Sequence, residues 1–435
     1  MKISAVKIFL AQLIFFLFFT STYAQKLSRT EEKIIESVEA NNEEAINFLE
    51  KVVNINSGTL NLTGVKKTGM VFKDAFEDVG MEARWIEMPE EMNRAGHLFA
   101  ETEGEKGKKI LLIGHLDTVF EEDSPFQSFK KINDSIAHAP GGNDMKGGNV
   151  IILYALKALA ENNLLKNAQV IVALTGDEER TGKPLSISRS DLIEAAKRSD
   201  MALGFETSTG FNYATVARRG SSGWKVETSG KRAHSSGVFS ENTGAGAIFE
   251  LCRILHQFYT DIKGEEFLTF NPGLILGGTF VEYDDNKSKG TAFGKTNVVA
   301  QTAMVEGGLR FISEEQKENA RGKMREIVEK HHPKTDASIS FTDSYPAMGP
   351  TKGNYALLEK LNKVSKDLNQ GEVKAYDPAK RGAADISFIA GYVDGLDGLG
   401  TMGSGAHTPQ ETVNLNTFEA LTKRTAILIY RLISE

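Results

Sequence analysis

Acidic residues and histidines recur in this 435-residue chain where apolar runs end. His115 and Asp117 follow KKILLIG, and Asp177, Glu178 and Glu179 follow AQVIVALTG. Imidazole and carboxylate groups are the ligands of catalytic zinc, and a nearby carboxylate can orient a ligating histidine. Each group taken alone is also consistent with a polar strand exit or a solvated acidic loop.

Three further positions extend this set. Glu206 follows the apolar run DMALGF, Asp144 lies in GGNDMKGGN, and His407 lies in the glycine-rich TMGSGAHTP. Singly, Asp144 could cap a turn, Glu206 could be structural and His407 could be solvated. Together, two histidines and three carboxylates fit two metal ions, which Asp144 would bridge if both share it. The absence of cysteine from the set favours zinc, cobalt or manganese in hydrolysis over structural zinc.

The segments between these residues predict how they are brought together. Helical patterns cover residues 30–54, 64–79, 149–162 and 189–198. Several of them separate the short apolar runs MEARWIEM, KKILLIGHL, AQVIVALTG and DMALGFE, which we interpret as strands. This alternation predicts an α/β fold with a largely parallel sheet. Such sheets bind ligands beyond the carboxyl ends of their strands, where the candidate residues lie.

The pattern changes from about residue 218. GWKVETSG predicts a strand and 244–259 a helix, and GLILGGTF and NVVAQTAMVEGGLRF predict two more strands. A charged helix over 314–332 and the strand DASISFT follow. The order βαββαβ predicts a ferredoxin-like α+β sandwich. The stretch 282–295 is expected to be a surface loop.

These patterns predict one α/β domain in two segments, residues 25–217 and 345–435, interrupted by an α+β insert over residues 218–344. Residues 1–24 have a basic start, an apolar run of 13 residues, and small residues at Thr22 and Ala24. They predict a cleaved signal peptide and export to the periplasm or the exterior, with an uncleaved anchor as the alternative.

Composition narrows the class of protein further. The formal net charge is −7 and no dense basic stripe occurs, which argues against nucleic-acid binding. Cys252 is the only cysteine, so no intramolecular disulfide can form. It lies in the apolar helical stretch GAIFELCRILHQF, so we predict a buried, inert thiol.

The motifs together resemble the family of secreted glutamate carboxypeptidases, acetylornithine deacetylases and succinyl-diaminopimelate desuccinylases, which are di-zinc metallopeptidases. The resemblance runs from about residue 30 to the C-terminus, includes the insert, and is greatest to the bacterial glutamate carboxypeptidases. It implies a zinc-exopeptidase-like catalytic domain with a mostly parallel central sheet. It also implies that the insert is a lid. The apolar face of the predicted helix over 242–260 and the edges of the predicted sheet indicate that two chains form a homodimer through this lid.

The resemblance implies a role for each metal-ligand candidate. His115 and Glu206 would hold one zinc ion, Glu179 and His407 the other, and Asp144 would bridge the two. The peptide bond that follows Asp144 would be cis.

Two further residues receive catalytic roles from the same resemblance. Asp117 would orient His115. Glu178 would be the general base, taking a proton from the attacking water and later giving it to the leaving amine.

Three residues of the insert match lid residues of the family. His234 in GKRAHSSG would contact the substrate or the oxyanion, and Asn297 and Arg310 would bind the terminal carboxylate of the substrate. An arginine suits this role because its planar guanidinium group can donate two hydrogen bonds to one carboxylate. Without the family, a capping histidine, a turn asparagine and a solvated arginine are the ordinary interpretations.

The chain departs from the family pattern at two places near the substrate. Gly308 replaces a common aspartate two residues before Arg310, and Gly382-Ala383 replaces a glycine pair. Arg381 could bind an acidic group there, but we expect it to be solvated.

The resulting prediction is an exported di-zinc hydrolase. It would release a C-terminal residue, with glutamate as the candidate, from a short peptide or an N-acyl amino acid. The alternatives are a deacylase or dipeptidase with the same mechanism and, more remotely, a non-catalytic binding protein on this fold.

Overall fold

The computed structural model describes residues 27–285 and 287–435. The predicted signal peptide over residues 1–24 lies outside the described residues and stays a prediction. Within those described ranges, every helix is too short or too polar to cross a membrane.

The first segment alternates helices and strands, as predicted. Its first helix begins at a capping box in which Ser28 and Glu31 exchange hydrogen bonds with each other's backbone. The elements are α1 (Arg29–Val53), α2 (Leu62–Asp78), β1 (Glu82–Ile86), β2 (His97–Glu101), β3 (Lys106–His115), β4 (Lys130–Lys131), β5 (Ile136–His138), α3 (Gly147–Glu161), β6 (Ala168–Thr175), α4 (Leu185–Ser188), α5 (Ser190–Lys197), β7 (Met201–Gly204) and β8 (Tyr213–Ala214).

The insert and the last segment follow in chain order. The insert contains β9 (Gly220–Gly230), α6 (Ala247–Asp261), β10 (Thr269–Gly278), β11 (Phe280–Asp284), β12 (Lys289–Phe293), β13 (Thr302–Phe311), α7 (Glu314–Val328) and β14 (Thr335–Asp343). The last segment contains α8 (Lys352–Asp367), β15 (Lys374–Ala375), β16 (Gly395–Leu396), β17 (Gly403–Ser404), β18 (Thr412–Asn414) and α9 (Phe418–Ile433).

The central sheet has the strand order β1-β2-β6-β3-β7-β16. The strands from β6 to β16 run parallel, and β1 and β2 add an antiparallel edge. Strand β3 is apolar and buried over residues 110–113, as a strand covered on both faces must be. Helices α1, α3 and α9 pack on one face of the central sheet, and α5 packs on the other face. The predicted α/β class with a mostly parallel sheet is confirmed.

The insert has its own antiparallel sheet, in the order β10-β13-β9-β14. Helices α6 and α7 pack on one face of it around Trp224, Phe258 and Met324. The predicted βαββαβ order is therefore present. The chain enters and leaves the insert through two adjacent segments, because Arg218 and Met348 form an antiparallel bridge. The domain boundaries predicted at 217/218 and 344/345 stay predictions.

Two expectations about the insert are wrong. The stretch 282–295 is not simply a surface loop, because β11 and β12 pair as a hairpin over five residues each. Its charged residues concentrate towards the turn, which made the segment resemble a loop. Cys252 is exposed rather than buried. Leu251 and Ile254 face the insert core, and Cys252 is rotated by about 100° from Leu251 around α6.

Candidate metal centre

The carboxyl ends of the central strands carry most of the predicted ligands. His115 ends β3, Glu178 and Glu179 follow β6, and Glu206 follows β7. Because these strands are parallel neighbours, their ends meet at one edge of the sheet. Three groups of possible ligands result, with donor atoms within 4.8 Å of one another: His115–Asp144–Glu206, His115–Glu178–Glu179 and Asp144–Glu179–His407.

Asp144 lies between the two histidines. Its Oδ1 is 3.5 Å from His115 Nε2, and its Oδ2 is 3.0 Å from His407 Nε2. Glu206 Oε1 lies 3.6 Å from His115 Nε2, and Glu179 Oε2 lies 3.3 Å from His407 Nε2. Ligands on a tetrahedral zinc with bonds of about 2.0–2.1 Å are roughly 3.3 Å apart. The spacing therefore suits two ions, each with one oxygen of Asp144.

The chemistry of the donors also fits metal ions. His115 Nε2 is buried and has no hydrogen-bond partner among the described residues, a state that is costly unless an ion satisfies it. Burial and the charge of Asp144 raise the pKa of Glu206 to about 7. Burial, followed by the charge of Glu206, raises the pKa of Glu178 well above its usual range. Divalent cations would offset this repulsion between carboxylates.

Asp117 is fully buried beneath this cluster. Its carbonyl oxygen lies 3.0 Å from His115 Nδ1 and its carboxylate 3.5 Å from the same atom, so the backbone makes the closer contact. The carboxylate accepts hydrogen bonds from the amides of Glu178 and Glu179, at 3.0 and 3.1 Å, and from Thr59 Oγ1 at 2.6 Å. Asp117 thus fixes two things: the backbone that carries Glu178 and Glu179, and the orientation of the His115 ring.

The glycine loop brings Asp144 into place. Gly141 has a φ of 63°, which glycine adopts without strain. A Cβ at Gly148 would collide with the carbonyl oxygen of Phe205, the residue before Glu206. These glycines therefore let the loop lie against the strand end that carries Glu206. The bond between Asp144 and Met145 is cis, which confirms that prediction.

Sequence reasoning did not identify Glu411 as part of this site. Its buried Oε1 accepts hydrogen bonds from the amides of Asn143, at 2.9 Å, and Asp144, at 3.1 Å. Glu411 lies four residues after His407 in the same loop, so it joins the two loops that carry Asp144 and His407. The one available signal was a glutamate close to a candidate ligand, which is too weak to predict such a contact.

Asp177 does not join the metal cluster. It is buried against Arg189, with 2.5 Å between Oδ1 and Nη1, and it also accepts from Gly182 N and Ser188 Oγ. Arg189 also pairs with Asp385 at 2.8 Å, so the second segment of the α/β domain holds the loop after β6. Of the three consecutive acids, Asp177 is therefore structural.

The three predicted substrate residues lie on the insert. His234 contacts Ser236 through Nδ1, and the carbonyl of Asn297 accepts from Ser235 N at 2.9 Å, so these two segments are adjacent. Asn297 and Arg310 are exposed. Across residues 27–285 and 287–435, no hydrogen bond or ion pair joins His234, Asn297 or Arg310 to the metal-ligand candidates.

Arg381 differs from its expectation. Its Nε is buried, and its Nη2 donates to the carbonyl of Thr207 at 3.2 Å. The prediction of a solvated side chain is therefore wrong for the inner part of this guanidinium.

Comparison with known proteins agrees with this arrangement. The chain is 26% identical over 375 residues to carboxypeptidase G2 of Pseudomonas sp. (strain RS-16), covering 83% of each protein. It is 24% identical over 335 residues to succinyl-diaminopimelate desuccinylase of Psychrobacter sp. (strain PRwf-1), covering 74% of this chain and 78% of that protein.

The fold is similar to that of aminopeptidase PepT from Bacillus cereus ATCC 10987. The TM-score is 0.70 at 18% sequence identity, over 91% of this chain and 99% of that one. The model of peptidase family M20/M25/M40 matches residues 111–431, which is more than half of the chain. This protein therefore belongs to peptidase family M20/M25/M40 and is a hydrolytic enzyme.

Proposed function

We propose that this protein releases a C-terminal amino acid, with glutamate as the candidate, from a short peptide or an N-acyl amino acid, using two zinc ions. The observation that carries the proposal is the position of Glu178. Donor atoms of Glu178, His115 and Glu179 lie within 4.8 Å of one another, so this carboxylate lies beside both ligand triads. The name of carboxypeptidase G2 supports the choice of a C-terminal residue.

Each of the candidate residues has a separate role in the proposed reaction. His115 and Glu206 would hold one ion, Glu179 and His407 the other, and Asp144 both. The two ions supply Lewis-acid polarisation of the scissile carbonyl and lower the pKa of water. Glu178 takes the proton from the attacking water and passes it to the leaving nitrogen. Asp117 keeps Glu178 in place through the backbone amide of Glu178.

The direct test is metal analysis combined with a substrate panel. Plasma mass spectrometry should find two zinc ions per chain, and the panel should contain N-acyl amino acids and dipeptides. A protein that binds metal but hydrolyses no member of the panel would contradict the proposal and favour a non-catalytic binding protein.

A deacylase with the same mechanism is the second candidate. The similarity to a succinyl-diaminopimelate desuccinylase favours it, because that name describes removal of an acyl group. The same panel separates the two. A carboxypeptidase discriminates between released amino acids, whereas a deacylase discriminates between acyl groups.

Arg310 offers a test of how the terminal carboxylate is bound. The side chain is exposed on the insert, and the pKa of its guanidinium is lowered by burial of part of the group and then by the charge of Arg219. A carboxylate would offset that repulsion. Arg310→Ala should raise KM about 10- to 100-fold for substrates with a free carboxylate, since a hydrogen bond to a charged group contributes about 1.5–3 kcal/mol.

Amidated substrates provide the comparison for Arg310→Ala, and Arg325→Ala, a second exposed arginine of the insert, is the matched control variant. The amidated substrates and the Arg325→Ala variant should show no change in KM. Equal effects on free and amidated substrates would exclude Arg310 as the carboxylate ligand.

We also propose that two chains associate through the insert. Large apolar side chains are exposed along α6, the edge strand β10 and the β11–β12 hairpin: Ile248, Phe249, Ile275, Phe280 and Phe293. Phe239, in the loop before α6, is also exposed and its ring lies 5.4 Å from that of Phe249. A cluster of this kind together with an open strand edge is typical of an interface. Light scattering at micromolar concentration should give the mass of a dimer.

Phe249→Glu should shift this dimer to a monomer, because it places a charge inside the proposed interface. Tyr355→Glu replaces another exposed aromatic residue, on α8, and should leave the dimer intact. A monomeric wild-type protein would contradict the proposed association.

Export is a further proposal, which the pattern of residues 1–24 supports. N-terminal sequencing of protein purified from its native cells should begin at Gln25, and a sequence that begins at Met1 would contradict cleavage.

A further inference from the structure

Three arginines converge on one short loop where the α/β domain meets the insert. Arg218 Nη1 donates to the carbonyl of Gly382 at 2.9 Å, and Arg219 Nη2 donates to that of Ala379 at 2.8 Å. Arg381 lies between these two loop positions and donates to Thr207 O. We call this group, Arg218, Arg219 and Arg381, the arginine cluster.

The arginine cluster contains hydrogen-bond donors that are not used. Arg218 Nη2, Arg219 Nε and Arg381 Nε are buried, and each lacks a hydrogen-bond partner within the described ranges. Guanidinium groups are donors only, and nearly all buried donors in proteins are paired. Three unpaired donors at one loop therefore indicate that an acceptor belongs there.

The cluster also has more positive than negative charge. Arg218 pairs with Asp397, at 2.5 Å between Nε and Oδ2. Among the described residues, no carboxylate lies within 4.0 Å of a guanidinium nitrogen of Arg219 or Arg381. Burial and the charge of Arg218 lower the pKa of Arg381 to about 10, although Asp397, Glu206 and Asp144 oppose this shift. Glu206 and Asp144 would themselves be neutralised by metal ions.

The position of the cluster relates it to the substrate. Arg381 donates to Thr207, the residue that follows the metal-ligand candidate Glu206. On its other side, Arg219 Nη1 donates to Thr269 Oγ1 at 3.2 Å, and Thr269 is the strand partner of Arg310. The arginine cluster thus contacts the segment that carries Glu206 on one side and the strand partner of Arg310 on the other.

We propose that the arginine cluster is a binding site for a carboxylate on the side chain of the amino acid that the enzyme releases. The preferred substrates are then amides of acidic amino acids, which carry a second carboxylate besides the terminal one on Arg310. This inference rests on the proposed function, which places the scissile amide at the metal ions and the released amino acid on the side of Arg310. A carboxylate suits the site because its oxygens accept several N–H groups at once.

The test compares substrates that differ only in this charge. We would measure kcat/KM for an N-acyl glutamate and the matching N-acyl glutamine with the wild-type enzyme, Arg381→Gln and Lys380→Gln. Lys380 is the matched control because it is an exposed cation in the same loop. Arg381→Gln should lower kcat/KM for the glutamate substrate about 10- to 100-fold more than for the glutamine substrate. Lys380→Gln should change neither.

Equal kcat/KM for the two substrates in the wild type would overturn the inference, as would an equal loss for both in Arg381→Gln. Metal content and thermal unfolding show whether each variant is folded. If Arg381→Gln does not fold, Arg219→Gln is measured in its place. If the wild type hydrolyses no amide at all, the proposed function fails separately. The cluster is then tested by ligand-induced thermal shift: glutarate should stabilise the wild type more than glutaramate does, and equal shifts would overturn the carboxylate site.

Discussion

Replacing Glu178 with glutamine should lower kcat about 10²- to 10⁴-fold while both metal ions stay bound. Glutamine has nearly the same shape as glutamate but cannot take the proton of the attacking water. Glu178 belongs to neither of the two triads that share Asp144, so both proposed ion positions keep their ligands. Steady-state kinetics on the best substrate of the panel, with metal analysis on the same sample, measures both quantities.

The control for this variant is Glu194→Gln, which changes an exposed glutamate of α5 that pairs with Lys197. It should leave kcat unchanged. Turnover of Glu178→Gln at the wild-type rate would remove Glu178 as the base. Loss of both ions together with activity would instead make it a ligand.

Asp144→Ala should release both metal ions, whereas Glu206→Ala should weaken mainly one. The two oxygens of Asp144 lie 3.5 Å from His115 Nε2 and 3.0 Å from His407 Nε2, so each proposed ion loses a ligand when Asp144 is removed. Glu206 contacts only the His115 side. Metal analysis after dialysis should find less than one ion per chain for Asp144→Ala and about one for Glu206→Ala.

Asp134→Ala removes an exposed aspartate of the same domain and should keep both ions. Circular dichroism distinguishes loss of metal from loss of fold. If Asp144→Ala retained one tightly bound ion, Asp144 would be a ligand of the other ion only and would not bridge the two.

Much of the fold is predictable from local patterns. A strand that is covered on both faces must be apolar throughout, so residues 110–113 and the runs near 170 and 202 are recognisable without a structure. The edge at which the candidate residues meet is predictable for the same reason, because parallel strands end together. Hairpin β11–β12 is not predictable in this way, because its pairing depends on a partner strand and its turn is rich in charge.

The separate roles of neighbouring acids depend on contacts between segments that are distant in the chain. Asp177 and Glu178 are neighbours of similar chemistry, yet Asp177 is buried against Arg189 while Glu178 lies with His115 and Glu179. Arg189 is 12 residues away from Asp177 in the chain, and no local pattern links them. The same holds for Glu411, which reaches the amide of Asp144 across 267 positions.

Apolar periodicity and residue chemistry are local properties, so the class of fold, the strand ends and the set of residues able to bind metal can be inferred from the amino-acid sequence. Local patterns do not predict which donors meet or which acid is buried away from the site. Nor do they predict that Arg218, Arg219 and Arg381 converge on one loop with unpaired donors. Those outcomes depend on contacts between distant segments, and the contacts exist only once the sheet, its helices and the insert have packed together.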